Sequence, residues 1–283
     1  MPVAVTCALA VAGAAVWMTG VDAQPTAART AAPSLVWQSL RMGAASGVLA
    51  LPRHPRALAI VIHGGLAANR ARAAVATDVA ARVYASRLAP LGIGVLAVDY
   101  RWGSYGGREL RDVQSALSYA GQIRKRARLP VVLIGASHGG YLAALAATTQ
   151  PARVAHVRAV VDLYGFSNLG ATVSAPASRY DRQALVTVRE LGPPAGNQAA
   201  YATRSPLSRA GLLAAPLLQV VGGRDRVTRP DVLALTRAVR KRGGSATLHV
   251  VPGSNHGFAF GTQTSSLVWS EVTSFLRQLH LAR

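Results

Sequence analysis

The sequence predicts an α/β fold: a mostly parallel sheet covered by helices on both faces. Three observations carry this. Runs such as Leu58-Ala-Ile-Val-Ile62 and Val131-Val-Leu-Ile134 are apolar without alternation, the pattern of strands buried on both faces. Such runs alternate with segments of helical periodicity, as parallel strands joined by helices require. The stretch Val131 to Tyr141 then reads as strand, tight turn and helix, with Ser137 at the turn inside Gly135-x-Ser137-x-Gly139. A sharp strand-to-helix turn excludes a Cβ at its flanks, and it leaves the serine hydroxyl exposed at the end of the sheet.

In chain order, residues 35–41 and 47–51 form two short strand-like runs, an antiparallel entry hairpin. The strand at 58–62 runs into His63-Gly64-Gly65, and a helix over 71–89 is expected to bury Val75, Val79, Val83 and Leu88. The next strand, 93–98, ends at Asp99-Tyr-Arg101 and a Gly-rich loop, before a helix over 109–127 carrying Val113, Leu117 and Ile123. After the serine turn, a strand at 158–161 leads to Asp162. Residues 166–205 break the rhythm, with one helical piece near 180–191, and are expected to be either a cap over the strand ends or a surface excursion. The sheet resumes at 216–221 and ends at Gly222-Gly-Arg-Asp225. Thr228-x-x-Asp231 with Pro230 reads as a capped helix start, and Gly243-Gly244 as its stop. A last strand at 247–251 precedes Gly253-Ser-Asn-His256-Gly257, and a helix over 265–281 carries a stripe of Val268, Val272, Phe275, Leu276 and Leu279.

The chain of 283 residues suits one large domain over 35–283. Residues 1–23 read as a signal peptide: Met1 to Met18 lacks any charged side chain, and Val21-Asp22-Ala23 is a small-residue cleavage pattern. An uncleaved anchor is the alternative, and either form implies a secreted, periplasmic or envelope location. Residues 24–34 form a polar leader. Cys7 lies inside the signal, so the mature chain is expected to have no disulfide, thiol nucleophile or cysteine metal site. The net charge of +20 comes almost entirely from arginine, since only Lys125 and Lys241 are lysines. The arginines are scattered, as on a solvated exported protein. Loose attraction to anionic envelope surfaces is compatible with them, and no motif argues for specific nucleic-acid binding.

A serine hydroxyl becomes a useful nucleophile only when a base takes its proton and a third group orients that base. Ser137, Asp225 and His256 each follow a strand, and strand C-termini converge on one crevice. Ser137 is the candidate nucleophile, His256 the base and Asp225 its partner, with Asp162 as runner-up for the acid. His54, His156, His249 and His280 lie in surface turns, a strand or the C-terminal tail; His138 should point away from the base position, and His63 suits a supporting role in its loop. The backbone N–H of His138 and that of Gly65 or Leu66 are candidate oxyanion donors. No metal or organic cofactor is required.

These residues resemble the α/β-hydrolase superfamily, and more closely the catalytic domain of the prolyl oligopeptidase family and related dienelactone-hydrolase-like esterases. The resemblance rests on His63-Gly-Gly65, Asp99-Tyr-Arg101, Asp112-Val113, Gly135-Ala-Ser-His-Gly-Gly-Tyr141, Ser205-Pro-Leu207, Gly223-Arg-Asp225 and His256-Gly-Phe258, in that order. It implies an α/β-hydrolase fold and acyl transfer to water from a small ester or short peptide. Three departures favour esters. Prolyl oligopeptidases usually carry a β-propeller, for which little room is expected; dienelactone hydrolases use cysteine at the elbow; and the family's His-Gly-Gly-Pro is here His63-Gly-Gly-Leu66. A peptidase on short peptides and a non-catalytic binding protein on the same fold are the alternatives.

Overall fold

The computed structural model describes residues 34–65, 70–175, 181–261 and 264–283. The expected signal peptide, and all of the leader but Ser34, lie outside the described residues. The elements are β1 (Leu35–Met42), β2 (Ala45–Pro52), β3 (Ala57–Ile62), α1 (Arg70–Leu88), β4 (Ile93–Asp99), α2 (Arg108–Ala127), β5 (Val131–Ala136), α3 (His138–Ala147), α4 (Gln150–Ala155) and β6 (Val157–Leu163). There follow α5 (Leu169–Ser174), α6 (Arg182–Leu191), α7 (Gln198–Thr203), β7 (Leu217–Gly222), α8 (Arg229–Lys241), β8 (Ala246–Val251) and α9 (Ser265–Gln278). Among the described residues no helix is long and apolar enough to cross a membrane.

The eight strands lie in the order β1-β2-β4-β3-β5-β6-β7-β8. The β1–β2 and β2–β4 pairs are antiparallel and every other pair is parallel. The chain steps from β3 out to β4 and then back across to β5, so successive crossovers leave in opposite directions. Right-handed crossovers then place α1 on one face and α3 on the other, opening a crevice at the C-terminal ends of β3 and β5. Residues His63 and Ser137 stand at those two ends.

Two cores fill the faces. One packs α2 and α3 against Leu58, Ile60, Leu96 and Leu133; the other packs α1 and α9 against Ala59, Val61, Val95 and Val132. Alternate residues of each strand feed opposite cores, which is why the strands read as unbroken apolar runs. All residues of α3 are buried, in keeping with its small, apolar sequence on every side.

In α1 the buried stripe differs from the expected one. Val75 and Val79 are exposed, while Ala80, Ala81, Tyr84, Ala85 and Leu88 face the sheet. Three alanines let the helix approach closely, and Tyr84 packs edge-on against Trp269 of α9 with 5.4 Å between ring centroids. The helix α8 starts where expected, with Thr228 at the N-cap position and Pro230 in its first turn, but the capping bonds differ. Thr228 makes no side-chain cap; its hydroxyl donates to Asp225 Oδ2 at 2.8 Å. Asp231 accepts instead from the N–H groups of Ser167 and Asn168, at 2.7 and 2.8 Å. Both side chains satisfy buried groups of neighbouring loops rather than their own helix end.

The described residues of segment 166–205 hold three short helices rather than one. Its α6 carries Asp181 as N-cap, accepting from Gln183 N–H at 2.8 Å. Its inner face, Gln183, Ala184 and Thr187, is buried.

Asp162 sits mid-sheet, level with Gly135 on β5 and Gln219 on β7. It is fully buried and accepts from Gln219 Nε2 and from Gly165 N–H, both at 2.7 Å. Burial outweighs these bonds and raises its pKa from 3.8 to about 6. The native state therefore holds this proton more tightly than the unfolded chain does. The stability it contributes is full below pH 3.8 and is lost as pH rises through 6, about 3 kcal/mol over the window. Asp162→Asn should flatten that slope, because an amide can keep both bonds if Gln219 turns over. Urea midpoints at pH 4, 5, 6 and 7 check it: wild type should lose stability relative to the variant across this window.

Candidate active site

The turn between β5 and α3 is built by exclusion. Ser137 has φ 55° and ψ −119°, a strained conformation for a residue with a Cβ. A Cβ on Gly135 would lie 2.0 Å from Gly139 O, and one on Gly139 would lie 2.0 Å from Ile62 O. Neither backbone oxygen can move aside without unpacking the sheet. The Ser137 N–H donates to Leu163 O at 2.8 Å, tying the turn to β6.

The structure brings together the three residues singled out for the reaction. Ser137 Oγ lies 2.8 Å from His256 Nε2, and His256 Nδ1 lies 2.9 Å from Asp225 Oδ2. Asp225 is 2 % exposed, whereas the His256 side chain is 33 % exposed. The acid is thus shielded while the base remains open to solvent. The other Asp225 oxygen accepts from the N–H groups of Val227 and Thr228, at 2.9 and 3.0 Å. Burial pushes the Asp225 pKa upward, but the bonds from His256, the Thr228 N–H and the Thr228 hydroxyl together outweigh it, and the net shift is downward. The carboxylate is held ionised and aimed, so the Nδ1 proton points at it and the Nε2 lone pair at Ser137. The ring of Tyr164, itself at φ 50°, meets the His256 ring edge-on at 4.9 Å.

The runner-up acid, Asp162, lies in the sheet against Gln219 and Gly165. Of the other histidines, His54, His156 and His280 are exposed, and His249 lies on β8 with Nδ1 3.8 Å from Glu271. The buried His63 stacks on Tyr100 with centroids 4.5 Å apart. Its Nδ1 lies 3.1 Å from Gly64 O, and Tyr100 Oη donates to His63 O at 3.0 Å. Burial lowers the His63 pKa to about 4, so the ring is neutral at physiological pH. These contacts brace the loop that ends β3. Gly65 has φ +83°, a conformation that favours glycine. Leu66 lies outside the described residues. His138 is the first residue of α3, where a backbone N–H has no partner within the helix.

The side of the elbow facing away from His256 holds groups the sequence did not announce. His138 Nε2 lies 3.0 Å from Glu109 Oε2. Glu109 also accepts from Gln183 Nε2 at 2.6 Å and from Gly106 N–H at 2.8 Å. Tyr105 donates to Asp181 and packs its ring 5.2 Å from that of His138. In the sequence Glu109 looks like an acidic residue complementing a helix N-terminus, which is an ordinary surface role. Its one distinguishing signal is its place directly behind the Gly-rich loop that follows β4.

Comparison with known proteins gives the family and the fold. Residues 97–281 match the family model described as "Prolyl oligopeptidase family". The chain is 27 % identical over 186 residues to "Acylamino-acid-releasing enzyme 2" of Oryza sativa subsp. japonica, covering 60 % of this chain and 24 % of that protein. It is 28 % identical over 193 residues to "Dipeptidyl aminopeptidase BIII" of Pseudoxanthomonas mexicana, covering 62 % and 27 %. The chain thus spans about a quarter of the length of these relatives. Among solved structures, an esterase of Pyrobaculum calidifontis superposes with TM-score 0.67 at 20 % identity, over 88 % of this chain and 86 % of that one. The sheet order, the elbow and these matches lead to one assignment: the chain has the α/β-hydrolase fold and belongs to the prolyl oligopeptidase family.

Proposed function

We propose that this hydrolase cleaves carboxylic esters through an acyl-enzyme on Ser137, and that residues 1–23 direct its export. The observation that carries the reaction is the continuous line from Ser137 Oγ through the imidazole of His256 to Asp225, with spacings of 2.8 and 2.9 Å. Nε2 of His256 takes the hydroxyl proton as Oγ adds to the acyl carbon. Asp225, accepting from Nδ1, stabilises the resulting imidazolium without taking its proton. The developing oxyanion is met by the N–H of His138 and by a second backbone N–H from the turn after β3, for which Gly65 is the candidate among the described residues. His256 returns its proton to the leaving alcohol, and the acyl-enzyme forms. Water then adds to the acyl carbon as His256 takes its proton, and His256 returns that proton to Ser137 Oγ as the acyl–oxygen bond breaks and the acid leaves.

Support for esters comes from the open His256 and from the departures at Leu66 and at the elbow. Support for the second reading, hydrolysis of short peptides, comes from the names of the two sequence relatives. A paired assay separates them. The full chain is given p-nitrophenyl esters of increasing acyl length and, beside them, aminoacyl and acylaminoacyl p-nitroanilides. Because an activated ester is intrinsically more labile than an anilide, each rate is divided by that of uncatalysed hydrolysis, and the expected result is a larger acceleration of the best ester than of any anilide. The reverse order would assign the site to peptides.

A further inference from the structure

We propose that Glu109 and Gln183 are positioning residues that couple the seat of α6 to the oxyanion donor at His138. The inference rests on the reading of Ser137 as nucleophile, and the test below separates the two.

The two turns that follow β4 and β5 meet behind the elbow. Glu109, on the first turn of α2, is fully buried. Its three donors come from three places: Gly106 in its own loop, His138 at the start of α3, and Gln183 on α6. His138 follows the nucleophile directly, so whatever fixes its ring also fixes the peptide that presents its N–H. The imidazole is 6 % exposed and is held on its flanks by Tyr105 and Tyr141, with centroids at 5.2 and 5.7 Å. Its other nitrogen, Nδ1, is buried without a hydrogen-bond partner among the described residues. Glu109 is therefore the hydrogen-bonding anchor of this ring, and without it the ring has no polar contact to hold its angle.

Gln183 holds that anchor from the far side. Its Nε2 bonds Glu109, while its Oε1 is buried without a partner among the described residues. A buried acceptor left unsatisfied is unfavourable, so the amide is there for its Nε2. The same helix grips the same loop twice more. Thr187 Oγ1 accepts from the Tyr105 N–H at 2.8 Å, and Asp181 accepts from Tyr105 Oη. Arg204, later in the segment, reaches Ser104 Oγ at 3.1 Å and Tyr105 O at 3.2 Å. Segment 166–205 thus seats against the back of the elbow as a buttress. An oxyanion donor acts chiefly on the transition state. Loosening the buttress should consequently slow acyl transfer while leaving ground-state binding nearly intact.

The test uses the full chain with Glu109→Gln and Gln183→Met. Both keep the approximate side-chain volume; the first removes the charge at the anchor and the second removes the donor from α6. Active sites are counted by titration with a fluorophosphonate, so that a smaller folded fraction does not mimic slow chemistry. The expected result is kcat per titrated site lower by roughly 10- to 100-fold in each variant, with KM within about twofold. Affinity for an alkylboronic acid, whose bound oxygen occupies the oxyanion position, should fall with kcat. Unchanged kcat per titrated site in either variant, or a loss confined to KM, overturns the proposal. Should Glu109→Gln not fold, Gln183→Met decides alone, since its side chain lies on α6. If wild-type protein neither labels at Ser137 nor turns over any ester or anilide, the reading of Ser137 fails and the positioning proposal falls with it; the positioning proposal fails by itself when wild type labels at Ser137 and either variant keeps its kcat per titrated site or loses only in KM.

Discussion

Ser137→Ala is expected to lower ester turnover by on the order of 10⁶-fold while leaving the thermal midpoint close to that of wild type. The substitution removes one oxygen from a site open to solvent, so no cavity forms and no buried group is orphaned except the Nε2 of a partly exposed histidine. The chemistry, by contrast, loses the atom that forms the acyl bond. His256→Ala should cost nearly as much, because Ser137 then keeps its proton at neutral pH. Asp225→Asn should cost about 10⁴-fold, since an amide at that position stabilises the wrong tautomer of His256. The three losses should not add: the double variant Ser137→Ala, His256→Ala should be no slower than Ser137→Ala alone. The measurement is kcat for a p-nitrophenyl ester, with mass spectrometry after a fluorophosphonate to locate the adduct. A wild-type adduct on another serine, or turnover by Ser137→Ala near that of wild type, would overturn the assignment of the nucleophile.

The second large effect falls on stability. Gly139→Ala and Gly135→Ala each set a methyl carbon 2.0 Å from a backbone oxygen. Van der Waals contact needs well over an ångström more, and the atoms in the way are main chain of β3 and α3, which cannot rotate aside. Each variant should lose about 3 kcal/mol or more and, because the elbow must open to admit the methyl, most of its activity. Gly121→Ala is the control. Gly121 is inside α2, and the atoms nearest a Cβ there belong to Ala155, at 3.5 Å and beyond. It should gain roughly 0.5 to 1 kcal/mol from helix propensity. Chemical denaturation of the three variants checks both signs at once. If Gly139→Ala were as stable as wild type, the close approach of α3 to β3 would have to be wrong.

What could be read directly from the chain was what local patterning controls. Buried parallel strands announce themselves as unbroken apolar runs because both faces are covered, and β3, β4, β5 and β7 fall where those runs lie. The elbow was legible because a tight strand-to-helix turn demands glycine at fixed offsets from Ser137. Asp225 and His256 could be singled out because loops at strand ends converge, whatever the rest of the chain does.

Only the tertiary structure decided which of several equivalent groups meet. The buried stripe of α1 departs from the expected one because valines at 75 and 79 and alanines at 80, 81 and 85 offer rival faces, and close packing on a sheet favours the smaller side chains. Between the two aspartates the sheet register chose. Asp162 is level with Gln219 inside the strands and is absorbed by them, while Asp225 stands past the end of β7 and reaches His256. The roles of Thr228 and Asp231 went to neighbouring loops, since a buried donor takes whichever oxygen the fold brings near. Glu109 shows the same limit most plainly: its partners His138 and Gln183 lie 29 and 74 residues away. A hydrogen bond across that distance leaves no periodicity, composition or spacing in the chain, because the contact is made by packing and not by sequence neighbours.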